Sequence, residues 1–127
     1  MTPSRRTNGS VSLEAQIEHE FAGQFETSGG GQSLFPIVIA RQVVGYCRVI
    51  GAGILGLEGF ARRGEFLIPR MDRMAAFDVG SQFDEEKGFL DVYPNRDEFV
   101  RSTCLDAARL IDEWQEDAEL LIEFSFA

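Results

Sequence analysis

Basic side chains are scarce in this chain of 127 residues: 12 Lys and Arg face 21 Asp and Glu, leaving a net charge of -9. Affinity for phosphate backbones rests on a basic surface, so direct nucleic-acid binding is disfavoured. Histidine is nearly absent as well. His19 stands alone within Glu18-His19-Glu20, without the second histidine of an H-E-x-x-H zinc site. A Ser-His-acid triad would have to use that one histidine, and no G-x-S-x-G elbow accompanies it. The two cysteines, Cys47 and Cys104, form no C-x-x-C pair and lie in apolar surroundings, so both read as reduced core residues. No uncharged apolar run of about 18 residues exists, because Arg41 and Arg48 interrupt the stretch from Leu34 to Leu57. Arg5 and Arg6 have no apolar segment behind them, which argues against a secretory signal and for a cytoplasmic protein.

What is present is the composition of a globular domain: 44% hydrophobic residues, including eleven Phe. The length suits a single core, so residues 11 to 127 read as one domain behind a polar, disordered tail at 1 to 10. Charge is placed unevenly. Residues 1 to 73 hold eight Arg against seven acids, whereas 74 to 127 hold four basic and fourteen acidic residues, about -10 for that part alone. A basic partner protein is the expectation that follows.

Leu13, Ala15, Ile17, His19 and Phe21 alternate with Glu and Gln, the period of a half-buried strand, although Leu13, Ile17 and Phe21 also satisfy i, i+4 spacing. The strand is preferred. After the glycine break Ser28 to Gln32, Ser33 is placed to cap a helix with Pro36 in its first turn. Ile39, Val43, Tyr46, Cys47 and Ile50 continue it, and Gly51 and Gly53 end it. Leu55 to Ala61 and Glu65 to Pro69 read as strands joined by Arg62-Arg63-Gly64, with an irregular segment from Met71 to Asp91. Asn95 and Glu98 are spaced as a helix cap and its N3 acid ahead of the stripe Val100, Cys104, Ala107, Ala108, Ile111 and Trp114. Leu120 to Phe126 closes the chain as a buried strand. The sum is an α+β domain: a mostly antiparallel sheet with two main helices on one face.

RVIGAGILG at 48 to 56 resembles the nucleotide-binding fingerprint of FAD-dependent oxidoreductases. That resemblance implies Gly51 in the tight turn, Gly53 against the pyrophosphate, Gly56 at the helix-strand contact, and a helix over 54 to 63. Several features oppose it. Only eight residues separate Gly56 from Gly64, Arg70 stands where a ribose-binding acid belongs, and Tyr46 to Ile50 continues a helical stripe rather than a strand. The preferred reading is a turn that ends a core helix, with an FAD or NAD(P) site as the alternative. No cofactor, catalytic residue or metal ligand is assigned.

Two acidic groups remain as partner-binding candidates. Asp84, Glu85 and Glu86 lack the D-x-D-x-D-G order of a calcium loop. Asp112, Glu113, Glu116, Asp117 and Glu119 crowd around Trp114, where acids oppose the helix dipole and repel one another. They are either a solvated surface over a core tryptophan or a patch facing a basic partner. The strings Leu57-Glu58-Gly59-Phe60, Ile68-Pro69-Arg70-Met71-Asp72 and Ala76-Phe77-Asp78 resemble segments of small bacterial immunity-type proteins. The resemblance implies a non-enzymatic inhibitor that neutralises a toxin, nuclease-like in character, over residues 84 to 86 and 112 to 119. A phage-type inhibitor and an acidic, oligomer-forming subunit are the remaining alternatives.

Overall fold

Ser12 opens the first element of the computed structural model, which describes residues 12–77, 93 and 95–127. The N-terminal segment read as a tail and the acidic loop Asp84-Glu85-Glu86 lie outside the described residues. The Ser12 hydroxyl accepts the Ala15 N–H at 3.1 Å and caps helix α1, Leu13–Glu20. This corrects the strand expected there. Ile17 and Phe21 are buried while Ala15 and His19 are exposed, so the i, i+4 spacing prevails over the alternation. A capping serine and a Glu, Gln and Ala-rich segment favour the same outcome.

Strand β1 is Glu26–Thr27 and β2 is Ser33–Pro36, followed directly by helix α2, Ile37–Ile50. Contrary to the sequence expectation, Ser33 therefore does not cap the helix; its hydroxyl donates to the Glu18 carboxylate instead. Phe35 is held extended by the proline behind it. It pairs with Ile122, and Pro36 itself stands at the helix N-cap with φ -54° and ψ 147°. The Ile37 N–H, first of the helix, donates to the Leu120 carbonyl at 3.1 Å.

Strands β3, Ile54–Arg63, and β4, Phe66–Ala76, form a hairpin whose tight connection is Gly64-Glu65, with Gly64 at φ +62°. Both strands are longer than their sequence pattern announced. β4 runs through Met71 to Ala76, with a bulge opposite Glu58 and Gly59 that absorbs the irregularity. Helix α3, Arg96–Glu113, begins as expected at Asn95, whose side chain accepts the Glu98 N–H at 2.9 Å. The Glu98 carboxylate pairs with Arg101. A 3-10 turn, Trp114–Glu116, leads to β5, Leu121–Phe126.

The result is an α+β fold in which the described residues form three α-helices and a five-stranded sheet, ordered β1-β2-β5-β3-β4, with every pairing among them antiparallel. The main core joins Ile17 of α1 and its C-cap Phe21, the inner faces of α2 and α3, and Phe35, Ile54, Leu57, Ile122 and Phe124 from the sheet. Alternation along the strands sends Leu34, Phe60 and Leu121 to a smaller cluster on the reverse face. Among the described residues, no helix is long and apolar enough to cross a membrane.

Candidate functional site

The glycine motif occupies a helix-to-strand turn, the reverse of the strand-to-helix turn a dinucleotide requires. Gly51 ends α2 in the left-handed region at φ 75° and ψ 33°, a conformation that glycine adopts without cost. Gly53 exchanges backbone hydrogen bonds with Ala127, and a Cβ at this position would sit 2.1 Å from Phe99 Cε2. At Gly56 a Cβ would lie 2.7 Å from the Ala75 carbonyl oxygen. Residues 54 to 63 are strand rather than helix, so the motif does not open the helix that the fingerprint requires. Gly51 serves the left-handed cap, Gly53 and Gly56 serve close packing, and the geometry of the fingerprint is not built.

Polar groups in the same region are satisfied internally. Thr103 is fully buried; its hydroxyl accepts the Ile54 N–H at 3.0 Å and donates to the Phe99 carbonyl at 2.9 Å. Arg96 donates to the carbonyls of Gly51 and Ala127 at 2.8 and 2.9 Å, closing the end of α2 against the end of β5. Cys47 and Cys104 are free and buried, and desolvation pushes their thiols up to about 12 and about 11. Neither is a nucleophile at neutral pH. His19 is exposed on α1. Among the described residues, no group of three or more His, Cys, Asp or Glu side chains converges on a metal position.

The acids around Trp114 are not a surface of one sign. Asp112 pairs with Arg41 at 3.0 Å, and Asp117 pairs with Arg73 at 2.7 Å, with Arg70 nearby at 3.8 Å. Glu116 lies 3.8 Å from Arg73, whose guanidinium also stands 6.0 Å over the ring of buried Trp114. Gly59 makes this possible, because a Cβ there would collide with the Arg73 Cβ at 2.8 Å. The conflict between acids and helix dipole that the sequence displays is thus relieved by arginines of the β4 bulge and α2. Only Glu113 and Glu119 of the five have no ion pair among the described residues.

A second acidic group, scattered through the linear sequence, gathers where β2 parts from β5. The two strands pair only at Phe35↔Ile122 and Pro36↔Leu121, whereas β5 stays paired with β3 as far as Phe126. Beyond Ile122 the β2-side edge of β5 has no strand partner among the described residues. Helix α1 and the turn before β2 wall this opening, leaving a cleft of about 140 Å³. Glu14, Glu18 and Glu123 line it together with Phe35, Phe124 and Phe126. Phe124 and Phe126 are stacked, with centroids 5.3 Å apart and planes inclined by 10°.

Glu123 also stands directly opposite Glu58 on β3, an arrangement of like charges that costs stability in an antiparallel pair. Burial, and then the neighbouring Glu58, hold the Glu123 carboxyl above the ordinary carboxylate range, while a 3.3 Å hydrogen bond from Gln32 acts against them. Among the described residues, none of Glu14, Glu18, Glu58 and Glu123 has an ion-pair partner, in a molecule where Asp112, Glu116 and Asp117 do. The sequence carried a signal for two of them: Glu58 in LEGF and Glu123 in LIEF are single charges inside apolar strands. Glu14 and Glu18 are one helical turn apart, which becomes visible only once α1 is helical.

The sheet's outer edge is a third surface. β4 exposes Phe66 and Met71, yet Pro69, the bulge and the Arg70–Asp72 pair interrupt it in the manner of protected edge strands. No known protein-family model matches the chain, and no curated protein matches it.

Proposed function

We propose that this chain is a non-enzymatic protein-binding inhibitor of the immunity type, acting in the cytoplasm on a basic partner through an acidic surface. The observation that carries the reading is the cleft beside β5. Its three carboxylates, with Glu58 behind them, are held together without a cationic partner among the described residues, at a cost that a partner's basic side chains would offset. Functional surfaces are where such local conflicts are retained. A nuclease-like toxin suits this chemistry, because an enzyme that grips phosphates presents the basic groups a carboxylate surface attracts.

Of the sequence-derived candidates, Glu113 and Glu119 are exposed outside the cleft and without an ion pair among the described residues, while Asp112, Glu116 and Asp117 are engaged within the chain. The dinucleotide alternative loses its support with the reversed turn at Gly51 and the Phe99 ring against Gly53. Self-assembly through β4 is opposed by Pro69 and the bulge.

Co-expression with the product of the neighbouring gene tests the proposal. Protection of the host from that product, together with a complex that weakens as salt rises, is the expected result. A flavin absorbance in the purified protein, or the absence of both protection and complex, overturns it.

A further inference from the structure

The cleft at the β2–β5 parting has the size and lining of a receptor for one planar organic cation. Its volume of about 140 Å³ corresponds to roughly four or five waters at about 30 Å³ each. That accommodates a guanidinium and its last methylenes, and falls well short of the roughly 300–1,000 Å³ of cofactor pockets. The walls match such a head group on two sides. Glu14 and Glu18 approach from α1 and Glu123 from β5, while the stacked Phe124–Phe126 pair and Phe35 supply aromatic surface.

A guanidinium donates in a flat fork and lies favourably on aromatic rings; an ammonium is a point charge that needs neither. The carboxylates also fail to converge as ligands of a compact ion, since no three of them share a metal position among the described residues. Charges set around an apolar floor suit a flat, delocalised cation better than a metal.

We infer that this cleft binds an arginine side chain of the partner protein, its guanidinium clasped by Glu18 and Glu123 above the Phe124–Phe126 pair. The inference deepens the proposed function and rests on it for the source of the arginine. Burial and the neighbouring Glu58 raise the Glu123 carboxyl, and a guanidinium beside it would act against both. The open edge of β5 beyond Ile122 lets the arginine arrive on an extended segment, since that edge presents unpaired backbone groups beside the cleft.

The probe is N-acetyl-arginine amide, titrated into the isotopically labelled protein and followed by backbone amide shifts. Saturable shifts confined to α1, residues 30–33 and 123–126 are expected, with a dissociation constant on the order of millimolar for one isolated side chain. E18Q and E123Q should each weaken it by about fivefold or more, the loss of one charge-assisted contact. Both are isosteric, and an unchanged spectrum elsewhere shows that the fold is intact. The lysine analogue should bind more weakly, and the norleucine analogue should leave the spectrum unmoved.

Shifts spread equally over Glu113 and Glu119, no saturable shift, or equal binding of the norleucine analogue would overturn the inference. Because the probe needs no partner, such a failure leaves capture of a basic protein standing on its own test. Saturable probe binding beside a failed co-expression experiment would retain the cleft and remove its assigned partner.

Discussion

Replacing Gly53 by alanine separates a packing glycine from a phosphate-binding one. A Cβ built at Gly53 falls 2.1 Å from Phe99 Cε2, 2.5 Å from Cζ and 2.8 Å from Cδ2, where ordinary contact begins at 3.4 Å. The ring must therefore retreat by about 1.3 Å at its nearest atom. It has little room for this. Phe99 is fully buried, meets Tyr93 edge-on at 5.6 Å, and lies under Arg96 at 5.9 Å. Overpacking of this kind costs about 1–3 kcal/mol, and the depth of the clash places G53A near the top of that range. For a domain of this size, each kcal/mol shifts Tm by roughly 2–8 °C.

The assay is urea unfolding read from the fluorescence of Trp114, the sole tryptophan and a buried one. Leucine at Phe99 should remove the colliding ring atoms, so G53A and F99L should couple favourably by about 1 kcal/mol or more. A stability change in G53A below about 0.5 kcal/mol, or strict additivity of the two substitutions, would refute the packing argument.

Other consequences follow from the same contacts. T103V should cost about 1–3 kcal/mol in chemical denaturation because it orphans the buried Ile54 N–H, and T103S should recover most of the loss. Equal stability of both variants would show that the hydrogen bond is not what holds the site. Cys47 and Cys104, with thiols raised to about 12 and about 11, should resist alkylation at pH 8 in the native protein and react once it is unfolded. Rapid labelling of the folded chain would contradict their burial.

Glu123 sets a pH dependence of definite sign. Its folded carboxyl titrates above the unfolded value, so between the two the folded state holds more protons and stability falls as pH rises. Acidification through that window should recover stability from this group. E123Q should recover it at neutral pH too, with the pH slope reduced; a destabilised E123Q would contradict the like-charge reading of Glu58, Glu123 and Glu14.

Helix α3 was legible in the sequence because cap and stripe agree locally: Asn95 accepts from Glu98, and Val100, Cys104, Ala107, Ile111 and Trp114 are buried. The end of α2 was legible for the same reason, since Gly51 is the residue best suited to a left-handed cap. Helix α1 was not, because Leu13–Phe21 satisfies both periods and the choice depends on Ser12 and on what Ile17 meets in the core. Ser33–Pro36 was not legible, because a capping serine and a first-turn proline are local signals, whereas the pairing of Phe35 with Ile122 joins residues far apart in the chain.

The sites divide in the same way. Acids clustered in sequence at 112–119 drew attention, yet arginines distant in the chain engage three of the five. Glu14, Glu18, Glu58 and Glu123 come from three separate elements and meet only when the sheet forms. A local charge count registers neither the neutralisation nor the assembly.

Capture of a basic partner at the β5 cleft is decided by surface-plasmon-resonance binding of that partner, rates and affinity together, to two sets of isosteric variants. The cleft triple E14Q/E18Q/E123Q should lose affinity about tenfold or more, chiefly through faster dissociation. E113Q/E119Q, which removes exposed charge outside the cleft, should mainly slow association and soften the salt dependence. Full affinity in the cleft triple, with the loss appearing in E113Q/E119Q instead, would contradict the claim.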